Sequence, residues 1–113
     1  MPDSTQETRK YIVGWLTFPP GRRQEFLQIL PAYVAACRAE PGCLFFEMNP
    51  SMLDPDVVTL AECFESEETH ATHLKAETFR SFWPQLAALA ISGRFENVYP
   101  GRVAVDAVRF QPA

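Results

Sequence analysis

The spacing of apolar and polar positions along the chain alternates between a two-residue period and a three-to-four-residue period, and each change of period marks an element. Lys10 to Phe18 (KYIVGWLTF) is rich in β-branched and aromatic residues, with Tyr11, Val13, Trp15 and Thr17 on one face and Ile12, Gly14, Leu16 and Phe18 on the other. This predicts a strand apolar on both faces, ended by Pro19-Pro20-Gly21. From Arg22 to Ala39, residues Phe26, Leu27, Ile29, Leu30, Tyr33, Val34 and Cys37 recur at helical steps and predict the first helix. Pro31 inside it cannot donate to the carbonyl of Leu27, which predicts a kink or a restarted turn.

Glu40-Pro41-Gly42 stops that helix. Pro41 disfavours helix at Glu40, and Gly42 can take the positive φ that a tight turn needs. Cys43 to Asn49 follows at once as a second strand, with Leu44, Phe46 and Met48 directed at the helices and Cys43, Phe45 and Glu47 directed away. After a loop containing Asp54-Pro55-Asp56, Val57 to Glu65 (VVTLAECFE) reads as a third strand in an antiparallel hairpin with the second. Ser66 can cap the next helix, with Glu67 and Glu68 in its first turn, where the helix dipole favours negative charge. That helix runs through His70, His73 and Leu74. A further turn begins at Thr78, and the stripe Phe79, Phe82, Trp83, Leu86, Leu89 and Ala90 continues it, with Pro84 forcing a kink or break and Gly93 serving as a left-handed cap. Arg94 to Gly101 reads as irregular and Arg102 to Phe110 as the last strand. Met1 to Arg9 reads as a flexible tail, leaving residues 10–113 as one domain.

The order β-α-β-β-α-β defines an α+β, ferredoxin-like split unit: a four-stranded antiparallel sheet with helices on one face. The first two strands carry large apolar groups on both sides, so the bare face calls for a second sheet. A two-fold homodimer supplies one most simply, giving a dimeric α/β barrel.

Composition narrows the ligand. The chain has 113 residues, 47% of them hydrophobic and 12% aromatic, and a net charge of −4 from 10 basic and 14 acidic residues. Without a basic cluster, neither nucleic acid nor an anionic membrane surface is an expected partner, and a small neutral, aromatic or apolar molecule is. No apolar run approaches the roughly 20 residues of a membrane span, and the polar start lacks the core of a signal peptide, so a cytoplasmic location is expected. Cys37, Cys43 and Cys63 match no zinc spacing and sit in apolar segments, which predicts reduced, buried thiols and no metal site.

Three segments, RAEPGCLFFE (Arg38 to Glu47), LAECFESEE (Leu60 to Glu68) and HLKAETFRSFW (His73 to Trp83), together resemble the antibiotic biosynthesis monooxygenase family, also called quinol monooxygenase-like. The resemblance spans about Lys10 to Phe110 and implies the dimeric α/β-barrel fold. Its superfamily also holds isomerases, heme-degrading enzymes and proteins of unknown activity. Family members usually carry a histidine at His73, which this chain keeps; many carry a second histidine where Thr78 stands and a tryptophan where Phe64 stands. In the heme-degrading branch an asparagine, a tryptophan and a histidine surround the heme; the corresponding positions here, Gly14, His73 and Trp83, do not match.

The resemblance implies oxygenation with no cofactor. A base removes a proton from a phenol or quinol, and the resulting anion itself reduces dioxygen, so the protein needs a base, an apolar pocket and a few donors. His73 is the candidate base because imidazole titrates near neutrality. Trp15, Phe46, Phe64, Phe79, Phe82 and Trp83 could line a slot for a flat aromatic substrate. Glu62 or Glu47 could orient a histidine or accept a substrate hydroxyl, although solvated carboxylates are the commoner case. A lone helical histidine is more often a packing residue, an aromatic stripe more often core, and His70 reads as surface-exposed. The expectation is thus a monooxygenase of quinols, phenols or polyketide-type aromatics. The alternatives are a non-catalytic small-ligand-binding or stress-response dimer and an isomerase or cyclase using the same pocket.

Overall fold

The computed structural model describes residues 3–6, 8–107 and 109, with side chains from Thr8 onward. In chain order the elements are β1 (Asp3–Gln6), β2 (Lys10–Thr17), α1 (Arg23–Arg38), β3 (Cys43–Pro50), β4 (Val57–Phe64), α2 (Glu67–Lys75), α3 (Glu77–Leu89), β5 (Ser92–Val98) and β6 (Arg102–Val105). Strands β2 to β5 form one antiparallel sheet in the order β3-β4-β2-β5. Each outer pair of consecutive strands is bridged by helix, so the fold is ferredoxin-like, α+β, with its helices on one sheet face.

The turn Glu40–Gly42 forms as its residues require. Glu40 N donates to Cys37 O at 3.1 Å, and Gly42 has φ of +85°. A Cβ on Gly42 would also lie 2.5 Å from Thr69 Cγ2, so close packing against α2 adds to the backbone reason for glycine. Ser66 starts α2 with a reciprocal cap: its Oγ accepts from Thr69 N at 3.2 Å, and its own N–H donates to Thr69 Oγ1 at 3.0 Å. Ala76, with ψ of 150°, separates α2 from α3.

Several expectations are revised. The fourth sheet strand is β5, where an irregular stretch was expected after Gly93; Gly93 lies within β5 opposite Leu16, and its φ is not positive. The segment Arg102–Val105 pairs instead with Asp3–Gln6, so part of the expected N-terminal tail is strand. Val108 and Phe110, at the end of the expected last strand, lie outside the described residues. Helices α1 and α3 continue through Pro31 and Pro84 without a break. Both prolines are on exposed faces, where water can take the freed carbonyl, while the buried stripes hold each helix in place. A register shift between Cys43 and Phe45 turns Leu44 outward, to 44% exposure, so Phe46 and Met48 alone of that trio enter the core.

The core lies between the sheet's helix face and α1 and α3. Phe18, Phe26, Phe46, Phe64, Leu16 and Val58 are its largest fully buried side chains. The other sheet face is open and carries Trp15, Phe45 and Val98, each about 40% exposed.

Candidate functional site

Between the helix face of the sheet and α2–α3 lies a cavity of about 190 Å³. Ile12 and Leu16 from β2, Phe46 and Met48 from β3, and Leu60 and Glu62 from β4 form its floor. These are the alternate positions of each strand, placed on one face by the two-residue period. Its roof comes from α2 and α3, and Tyr33 of α1 closes one side. An engineered apolar cavity of ~150 Å³ is enough to hold benzene, so this one suits a small aromatic ring system.

One wall is a chain of rings. His73 lies 5.2 Å from Phe64, 5.8 Å from Phe46 and 5.3 Å from Phe79, centroid to centroid. Phe79 then meets Trp83 at 5.4 Å, and Trp83 meets Phe95 at 6.2 Å. Phe82 stacks on Tyr33 at 3.5 Å. Trp83 and Phe95 are about 40% exposed and make the mouth; Phe46, Phe82 and His73 are buried and make the inner end.

His73 sits in the last turn of α2, 3% exposed, with its Nδ1 2.5 Å from Glu40 Oε1. A carboxylate can only accept, so Nδ1 carries the proton and Nε2 is the nitrogen left for a molecule in the cavity. Glu40 comes from the turn that stops α1, and the capped start of α2 sets the histidine's height over the sheet. Cys37, one turn before Glu40, shares a hydrogen bond with Tyr33; burial pushes the thiol up to about 12 and raises the Tyr33 hydroxyl as well. Cys37 Sγ, a Glu40 carboxylate oxygen and a His73 ring nitrogen all lie within 4.8 Å of one another, so among the described residues these three side chains could hold a metal ion. Glu62 is 8% exposed; burial first, and the nearby Glu40 charge second, push its carboxyl up to about 7.

Of the residues expected to line a site, Phe46, Glu62, His73, Phe79, Phe82 and Trp83 all line this cavity. Phe64 is buried behind it, in ring contact with both histidines. Trp15 lies on the opposite sheet face and takes no part. His70, expected at the surface, is 7% exposed and lines the cavity; burial and the charge of Lys10 push its pKa down to about 4. Its three-residue offset from His73, which puts both on one helix face, was the available signal. Glu40 escaped sequence reasoning because its contact with His73 spans 33 residues. Glu47 pairs with Arg38 at 2.9 Å on the surface within the same chain. Of the three cysteines, none of them in a disulfide, Cys37 and Cys63 are buried while Cys43 is partly exposed.

The split βαβ sheet, with an aromatic cavity under its helices, defines a small ferredoxin-like domain built around an enclosed apolar site. The sequence profile of the antibiotic biosynthesis monooxygenase family matches residues 11–85, and the chain belongs to that family. Solved structures with similar folds include PA3566 from Pseudomonas aeruginosa, 24% identical over 85% of this chain and 97% of that one, with a TM-score of 0.76. SO0527 from Shewanella oneidensis is 20% identical over 92% and 100%, TM-score 0.76, and Rv0793 from Mycobacterium tuberculosis 19% identical over 89% and 99%, TM-score 0.75. At these identities the likeness concerns the fold. No curated protein matches the sequence. Among the described residues no helix is long and apolar enough to cross a membrane.

Proposed function

We propose that this protein is a monooxygenase that oxidises a small quinol, phenol or polyketide-type aromatic with dioxygen, using its own side chains and the substrate's electrons. The observation that carries this reading is the His73–Glu40 pair at the buried end of an aromatic cavity. Glu40 holds the imidazole in the tautomer whose Nε2 is free to take a phenolic proton, and the apolar walls keep water from the anion that results. Phe46, Phe79, Phe82 and Trp83 contact the flat face of the substrate, and Glu62 meets one of its polar groups. The open sheet face, with Trp15 and Phe45 exposed, packs on a second copy to make a homodimer. Three cysteines outside any disulfide suit the reducing cytoplasm.

Oxygen uptake measured across a panel of quinols and phenols tests the activity, and His73→Ala should abolish it. No uptake, together with thermal stabilisation by the same compounds, would replace the oxygenase with a ligand-binding dimer. Light scattering at micromolar concentration tests the dimer; a monomer there contradicts it.

A further inference from the structure

Around the inner end of the cavity, His73 has Glu40 as its partner and Tyr33 has Cys37. Glu62 has none. It stands on β4 with Phe46 beside it on β3 and Ile12 beside it on β2, both uncharged, and it is more than nine-tenths buried. Among the described residues its carboxyl oxygens meet no hydrogen-bond donor and no cation, yet they face the cavity. A buried carboxyl without a partner is costly, and such groups persist where a bound molecule or a reaction uses them.

The groups around Glu62 decide its protonation. From α1 come Tyr33 and Cys37, and from the turn after it the carboxylate Glu40; from α2 come His70 and His73; from β5 comes the neutral Asn97. Lys10, the buried cation of β2, is committed to Glu67 at 3.2 Å. Among the described residues no cation therefore holds Glu62 ionised, and its proton stays on to about pH 7.

We propose that Glu62 is the acid of the oxygenation, giving its proton to the oxygen that leaves when the substrate hydroperoxide breaks down. The step rests on the monooxygenase reading and takes as substrate a hydroxyarene with hydrogen on the carbon para to its hydroxyl. His73 Nε2 removes the phenolic proton. The anion gives two electrons to dioxygen, a C–O bond forms at the para carbon, and His73 returns its proton to the outer peroxide oxygen. His73 then takes the hydrogen from that carbon as a proton. The C–H electron pair becomes the second bond of a new carbonyl, the O–O bond breaks, and the departing hydroxide takes the Glu62 proton to leave as water. The proton now on His73 restores Glu62. The sum is hydroxyarene plus dioxygen giving quinone plus water.

Glu62→Gln separates this role from packing, since the amide keeps the shape and cannot give up a proton. With 1-naphthol as probe, the variant should still consume dioxygen, while quinone formation falls about a hundredfold and organic hydroperoxide accumulates in a peroxide assay. Quinone formation by the wild type should fall as pH rises through about 7, and the variant should lack that limb. Carboxyl-carbon NMR gives a readout independent of turnover: the resonance missing from Glu62→Gln should titrate near 7 in the wild type. Uptake with an unchanged quinone-to-hydroperoxide ratio in the variant, or a Glu62 resonance titrating near 4, overturns this step alone. A wild type that consumes no dioxygen with any phenol or quinol overturns the oxygenase reading, and this step with it.

Discussion

The two ends of the cavity are built from different materials. At the inner end Tyr33, Cys37, Glu40, Glu62, His70 and His73 converge among buried rings, whereas at the mouth Leu74, Trp83 and Phe95 are half-exposed and carry no charge. The inner end belongs to the fold's core as much as to the site: Phe46 touches Tyr33 and His73 and is 1% exposed. Mouth residues touch one another and solvent. The titratable groups therefore sit where the structure is least able to yield, and the half-exposed rings sit where it yields most. Gly14 and Gly93 sharpen the mouth, because the Phe95 ring lies so close to them that a Cβ on either would come within 3.2 Å of it.

The largest expected break in this contrast is Phe46→Ala. Removing a fully buried ring should cost about 3–5 kcal/mol of stability in urea unfolding. A cost below about 1 kcal/mol would mean that the inner end is not part of the core.

Next comes pH. Glu62 is raised from 4.5 to about 7 in the fold, so between those values the folded chain holds a proton that the unfolded chain releases. Stability therefore falls as pH rises through that window, by on the order of 3 kcal/mol from this group. His70 is lowered from 6.5 to about 4, so its contribution is present above 6.5 and is lost as pH falls toward 4. The two slopes oppose each other, and the wild type should vary little between pH 4.5 and 6.5 in denaturant titrations. Glu62→Gln should uncover the His70 slope and unfold more easily at pH 5 than at pH 7. An unchanged flat profile would exclude this pairing.

Glu40→Gln tests the inner end's polar order at a smaller cost to folding, since the Glu40 side chain is 17% exposed. An amide can present either its oxygen or its NH2 group to Nδ1, so the tautomer is no longer enforced. The turnover number should drop about a hundredfold while binding of a redox-inert naphthalene is retained. Equal loss of binding and turnover would make Glu40 a packing residue.

The smallest effect on stability is expected at the mouth. Trp83→Ala, at a ring 44% exposed, should cost under about 1 kcal/mol in unfolding yet weaken aromatic ligands about tenfold by calorimetry. Stability loss as large as that of Phe46→Ala would erase the distinction between the two ends.

The legible parts were those with a local cause. Both long helices, three strands of the sheet and the positive-φ Gly42 follow from periodicity and turn chemistry within a few residues. Strand β5 was hidden because SGRFENV is polar, and Phe95 is its single large apolar residue on the helix face; it is a strand because β2 offers it a paired edge. His73 and its aromatic neighbours were legible as types at helical spacing. That Trp15 lies on the face away from the helices was not legible, because a strand apolar on both faces does not say which face the helices cover.

By itself the sequence determined the element types, the split βαβ order and the family resemblance carried by residues 38–47, 60–68 and 73–83, since period, turns and capping act over one to four positions. Tertiary structure alone decided that Glu40 meets His73, that His70 turns inward and that Glu62 has no partner among the described residues. The Glu40–His73 contact joins the turn after α1 to α2 across 33 residues, and only the packed sheet brings such groups within reach.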